Sequence, residues 1–314
     1  MVIYINLLLV VSLIFSTACN QDNIDRKGLK KGTFLLLKSD FDNCEFNYLE
    51  KQELNLFHAD NGEILELEID YPRYNYDFPS ISPSGEMIIS KHKTNENLIL
   101  YNIKEDLLSE IPYHKIRSRN LLRFGPTFEF YDDSTIFIGL KSDLYRYNIK
   151  QESFIKLSSF GVKIIDEINI SEHFPDRIFL KLQEMGDFGE VSDIQYVLYN
   201  FDGSTFNNEK ILNIPFIMDI SPDGNNILAW KDSLYIYNIE TETTEKIVFF
   251  ESLAVAGKTR EVKFLDEVSI VFTDIINDNK ECYSKLIIYN FVKNEIEKEF
   301  NLGKNYFEIV RVFN

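Results

Sequence analysis

The chain has 314 residues, with 33 Lys and Arg against 50 Asp and Glu, for a formal charge of -17. An apolar share of 45% with 26% charged residues is ordinary globular composition, and it excludes long disorder and a multispan membrane protein. The negative charge excludes a nucleic-acid binder that works through a basic face, and 14% aromatics with only 13 Gly point to strands.

Residues 1–19 read MVIYINLLLVVSLIFSTAC, and no Asp, Glu, Lys or Arg occurs before Asp22. The apolar stretch Val2–Phe15 falls short of the ~20 residues that span a bilayer and fits the h-region of an export signal. Ser16, Thr17 and Ala18 then lead into Cys19, a pattern that resembles a bacterial lipoprotein signal. That resemblance implies acylation of Cys19, which becomes the mature N-terminus. Ser16-Thr17-Ala18 also suits the ordinary signal peptidase, which cuts at the same bond. The expected organisation is a signal at 1–19, a polar tether at 20–31 (NQDNIDRKGLKK) and one domain at 32–314. The expected location is outside the cytoplasm, in the outer membrane or periplasm, with membrane contact only through the lipid.

A six-fold repeat organises the rest. An apolar run ends in an aromatic residue, at Phe57, Tyr101, Tyr147, Tyr199, Tyr237 and Tyr289, at intervals of 38 to 52 residues. His58 follows the first, and Asn102, Asn148, Asn200, Asn238 and Asn290 follow the others. An Asn there can bond its own backbone two residues on and start a hairpin turn. The runs are apolar on both faces, as in Leu234-Tyr235-Ile236-Tyr237, which suits a strand buried between stacked sheets.

Upstream of each copy from the second onward lies another hairpin: ISPSGEMIIS from Ile81, EFYDDSTIFIG from Glu129, NISEHFPDRIFLKL from Asn169, DISPDGNNILAW from Asp219 and KFLDEVSIVF from Lys263. Two hairpins per unit make a four-stranded blade, and a period near 45 residues is the mark of a β-propeller. With strands lettered A to D in chain order, the first unit starts at B (from Gly32) and lacks an A strand. The chain then ends in an orphan apolar strand, YFEIVRVFN from Tyr306. An all-β, six-bladed propeller follows, closed by the C-terminal strand acting as strand A of blade 1 and hiding the edges an open ring would expose.

The turns Ser82-Pro83-Ser84-Gly85 and Ser221-Pro222-Asp223-Gly224 resemble the Ser-Pro-Asp-Gly turn of TolB-like (WD-like) propeller repeats. The resemblance implies that each joins the inner two strands of a blade, here blades 2 and 5. The stretch between Cys19 and Gly32 is too short for the extra N-terminal domain of TolB, so a Tol–Pal role is not expected.

In such a ring the D–A and B–C connections share one face, and short A–B and C–D turns the other. The long loops make the first the expected working face. Its D–A connections carry Arg73 and Tyr74, then Arg117, Arg119 and Arg123, then Lys258 and Arg260. An Arg–Tyr surface can clamp carboxylates and stack on sugars or peptide aromatics. The expected partner is a protein or an anionic glycan or peptide of the cell envelope. The B–C connections read as acidic loops in blade 1 (from Ser39) and blade 6 (from Thr273), holding Cys44 and Cys282. Ring closure makes these blades neighbours, so a Cys44–Cys282 disulfide would staple the seam.

Catalytic motifs are missing. The four His show no metal spacing, and no Gly-x-Ser-x-Gly elbow, Cys-x-x-Cys pair or glycine-rich phosphate loop occurs. No cofactor or metal is expected. A non-catalytic binding or scaffolding propeller is the leading expectation. The alternative is a glycan or ester hydrolase or lyase using channel-mouth carboxylates, for which Asp77, Asp166 and Asp219 near the starts of A strands are the candidates.

Overall fold

The computed structural model describes residues 33–313 except 40, 43–44, 47–51, 67–76, 92–96, 106, 113–125, 172–175, 186–190, 203–205, 215, 248–261 and 279–280. Six four-stranded antiparallel sheets account for the ring, and no helix occurs among the described residues. Blade 1 consists of Tyr306–Phe313 (A), Thr33–Ser39 (B), Gln52–His58 (C) and Glu63–Glu66 (D). Blade 2 is Asp77–Ile81, Met87–Lys91, Leu98–Asn102 and Leu107–Ile111; blade 3 is Thr127–Asp132, Thr135–Leu140, Asp143–Asn148 and Ser153–Ser159. Blade 4 is Lys163–Ile170, Arg177–Met185, Val191–Phe201 and Phe206–Leu212. Blade 5 is Ile217–Ile220, Asn226–Trp230, Leu234–Asn238 and Thr244–Lys246; blade 6 is Val262–Phe264, Ser269–Asp278, Glu281–Asn290 and Glu295–Gly303.

The ring closes as the orphan strand predicts. Tyr306–Phe313 pairs antiparallel with Thr33–Ser39, from Thr33 opposite Phe313 to Ser39 opposite Tyr306, with one register shift between Leu35 and Leu36. The seam is apolar as well as hydrogen-bonded. Phe34, Leu36, Phe307 and Ile309 of blade 1 pack in one buried cluster with Val271, Leu286 and Ile288 of blade 6. Other described clusters likewise join neighbouring blades, as where Phe137 and Leu144 of blade 3 meet Ile165, Leu180 and Val197 of blade 4.

The repeat aromatic has one role in every blade. Phe57, Tyr101, Tyr147, Tyr199, Tyr237 and Tyr289 are all buried in strand C. Each stands opposite a fully buried strand B residue: Phe34, Ile88, Ile136, Ile178, Ile227 and Ile270 in turn. The following Asn starts the C–D turn. Asn102 Oδ1 accepts hydrogen bonds from the Lys104 and Glu105 amides, Asn148 from Gln151, Asn238 from Thr241, and Asn290 from Val292 and Lys293. Four residues after the start of that turn the backbone goes left-handed, at Gly62 (φ 73°), Glu152 (46°), Glu242 (56°) and Asn294 (58°).

Both Ser-Pro-x-Gly turns join strands A and B. In blade 5 the buried Ser221 hydroxyl accepts from the Asn226 amide at 2.8 Å, and the Gly224 amide donates to Ser221 O at 2.8 Å. In blade 2, Ser82 holds Met87 and Gly85 in the same way. Gly85 and Gly224 have φ of 74° and 69°, the left-handed region that glycine enters without a Cβ clash.

One expectation is corrected. The acidic segment from Thr273 is not a loop: Thr273–Asp278 and Glu281–Lys285 are paired strand, from Thr273 opposite Leu286 to Asp278 opposite Glu281. The reason is a two-residue alternation under the acids. Thr273, Ile275, Cys282 and Ser284 are buried, while Asp274, Ile276, Tyr283 and Lys285 are less so.

Candidate functional site

The six A strands run side by side around the axis and line a half-open cavity of about 140 Å³. Each strand supplies a polar or charged lining residue: Arg311 from blade 1, Ser80 from blade 2, Glu129 from blade 3, Asn169 from blade 4, Asp219 from blade 5 and Lys263 from blade 6. Most lie in the C-terminal half of their strand, and Pro222 of the blade 5 turn also lines the cavity. The cavity therefore belongs to the A–B turn end of the ring.

These side chains stitch consecutive blades. Arg311 Nη1 donates to Ile81 O at 2.6 Å, linking blades 1 and 2, and the Ser80 hydroxyl donates to Glu129 Oε1 at 2.9 Å, linking blades 2 and 3. Asp219 binds across blades 5 and 6: its Oδ2 accepts from the Phe264 amide at 2.7 Å and its Oδ1 lies 3.7 Å from Lys263 Nζ. Burial pushes the Glu129 pKa up to about 7, against the opposing pull of Arg311, the Ser80 hydrogen bond and Lys263. Glu129 is thus half-protonated near neutrality, the condition in which a carboxyl group donates as well as accepts.

Of the proposed carboxylates, Asp219 lines the cavity. Asp77 opens strand A of blade 2, opposite Lys91 in the ladder. Asp166 sits at a register shift in strand A of blade 4 and is exposed rather than cavity-lining. Its Oδ2 lies 2.7 Å from Lys181 Nζ and accepts from Gln183 Nε2 at 2.6 Å. Lys181 also reaches Glu167 Oε1 at 2.8 Å and stands 5.1 Å from the centre of the Phe216 ring. Burial alone would lower the Lys181 pKa; the two carboxylates outweigh it and raise the pKa instead.

The loop-face residues Arg73, Tyr74, Arg117, Arg119, Arg123, Lys258 and Arg260 lie outside the described residues, as do Cys19 and Cys44. Cys282 is buried and disulfide-bonded, at a position two residues from the tip of the blade 6 hairpin. Among the described residues no group of three or more His, Cys, Asp or Glu side chains converges to hold a metal ion. Glu129, Lys263 and Arg311 escaped the sequence reading, although each lies inside a strand the repeat had located. The available signal was a charge within an innermost strand, as in Phe128-Glu129-Phe130.

Comparison with solved structures shows the fold. TolB from Acinetobacter baumannii superposes with a TM-score of 0.58 at 12% identity, over 88% of this chain and 65% of that one. A chain of a nidogen/laminin complex superposes with a TM-score of 0.54 at 9% identity, over 88% of this chain and 97% of that one. The chain thus spans less than two thirds of the length of its TolB neighbour. No family model matches the sequence, and no curated protein matches it.

Proposed function

We propose that this chain is a non-catalytic binding and scaffolding propeller of the bacterial cell envelope. On this reading it is exported, anchored through a lipid on Cys19, and seats a protein or an anionic glycan or peptide on its D–A/B–C loop face. The carrying observation is the inequality of the two ends of the ring. The A–B and C–D turns between strands are two to six residues long, whereas the D–A connections after blades 1, 2 and 5 have ten, fifteen and fifteen. Long connections on a rigid scaffold are where recognition is usually built. These three carry Arg73 and Tyr74, Arg117, Arg119 and Arg123, and Lys258 and Arg260. The similarity to TolB supports a periplasmic address, and the nidogen neighbour comes from a protein–protein complex. Fold alone does not assign function, so the residues must be tested.

The test is a crosslinked pull-down from native envelopes, comparing wild type with a variant carrying Arg117→Glu, Arg119→Glu and Arg123→Glu. A specific protein or glycan captured by wild type and lost by the variant is the expected result. Equal capture by both forms overturns the loop-face assignment. The enzymatic alternative draws on one observation: Glu129, with a pKa of about 7, shares a cavity with Asp219. Such a pair suits general acid–base work. Hydrolysis of a glycan or ester that Glu129→Gln abolishes would establish it.

A further inference from the structure

The ring repeats its packing residues from blade to blade, yet its channel positions do not repeat. Where strand C offers Tyr five times and Phe once, the A strands offer Arg, Ser, Glu, Asn, Asp and Lys at the cavity. Packing needs no such variety. Six different polar groups converging on one half-open pocket form an asymmetric lining, which suits an asymmetric ligand.

The charges narrow its class. Among the described lining residues, Lys263 and Arg311 face Glu129 and Asp219. Asp219 is engaged by Lys263 and by the Phe264 amide. When Glu129 carries a proton, the described lining has one positive charge in excess. A monoanion balances it; a dianion overshoots. A cavity of about 150 Å³ holds a benzene-sized molecule of about six heavy atoms, close to the volume found here. A planar carboxylate matches the guanidinium fork, and a protonated carboxyl group donates a short hydrogen bond to a carboxylate oxygen.

We propose that the A–B end of the channel binds a small free monocarboxylate, held by Arg311 and Lys263 and by a hydrogen bond from the Glu129 side chain. Ser80 orients Glu129 through its hydroxyl, and Asn169 supplies a further polar contact from blade 4. Ionised Glu129 repels the ligand, so binding is coupled to proton uptake. With a pKa of about 7 for Glu129, the competent fraction falls about tenfold between pH 6 and pH 8. The site is independent of any partner on the loop face.

Isothermal titration of the full chain with propionate at pH 6 and pH 8 tests this, with propionamide as the neutral isostere. Propionate binds about tenfold more weakly at pH 8, and propionamide does not bind. Glu129→Gln keeps an amide donor, so binding persists while its pH slope disappears. Lys263→Gln weakens binding at both pH values, with thermal melts confirming that each variant folds. No propionate binding at either pH overturns the proposal, as does equal binding of propionamide or a pH slope that survives in Glu129→Gln. Acetyl-Gly-Asp-amide separates the two sources of a carboxylate: tighter binding of this peptide than of propionate overturns the assignment to a free acid.

Discussion

The Ser80 hydroxyl donates a 2.9 Å hydrogen bond to Glu129 Oε1, joining the inner strands of blades 2 and 3 inside the channel. The Glu129 pKa of about 7 lies above its ordinary value of 4.5, chiefly through burial. The native chain therefore keeps a proton that the unfolded chain releases, and its stability falls as pH rises from about 4.5 to about 7. The full loss is of the order of 3 kcal/mol. Glu129→Gln keeps an acceptor for Ser80 and removes the titration. Thermal denaturation across pH should show the variant melting above wild type at pH 8, with the difference vanishing below about pH 4.

The left-handed residue in the C–D turn offers a stabilising change. Glu152 has φ 46° and is exposed, at the place that Gly62 takes in blade 1. A non-glycine residue costs about 1–2 kcal/mol there, and glycine returns part of that gain through unfolded-state entropy. Glu152→Gly should stabilise by ~0.5–1 kcal/mol, read as a higher midpoint in urea. At Gly62 the reverse change should destabilise, because an added Cβ would also approach the Phe300 ring to 3.1 Å.

Gly139 of strand B in blade 3 is held by space rather than by backbone conformation. An added Cβ would lie 2.6 Å from Thr127 Cγ2 and 2.9 Å from Ile165 Cγ2, the latter in blade 4. Gly139→Ala should cost ~1–3 kcal/mol by overpacking this blade boundary. Equilibrium urea unfolding measures it, and Thr127→Ser in the same chain should recover part of the loss.

Cys282 is disulfide-bonded, and Cys44 is the partner we propose. Non-reducing peptide mapping should return the Cys44 and Cys282 peptides joined. Cys44→Ser should then lower stability by ~2–4 kcal/mol, an effect absent when wild type and variant are compared under reducing conditions.

The ring was legible in the sequence because its signals are redundant. Each blade repeats a buried aromatic opposite a buried strand B residue, and five Asn residues mark the same turn. The orphan strand at Tyr306 needed a partner, and Thr33–Ser39 is that partner. The acidic stretch from Thr273 misled because surface acids look the same on an extended hairpin and on a loop; only the alternation of Thr273, Ile275, Cys282 and Ser284 marked it as strand. Asp219 was expected at the channel from a place near the start of strand A, whereas it is the next-to-last residue of Ile217–Ile220. Glu129, Lys263 and Arg311 carry no motif. They meet only because six innermost strands converge, and that convergence is not written in any local stretch of sequence.

The most direct test of the binding account is site-specific photo-crosslinking in native envelopes. A photoreactive residue is placed at Tyr74, Arg117 or Arg260 on the loop face, and at Ser84 or Asp223 in the A–B turns. The account predicts one common partner adduct from the loop-face positions and none from the turns. Adducts from Ser84 or Asp223 alone would contradict it.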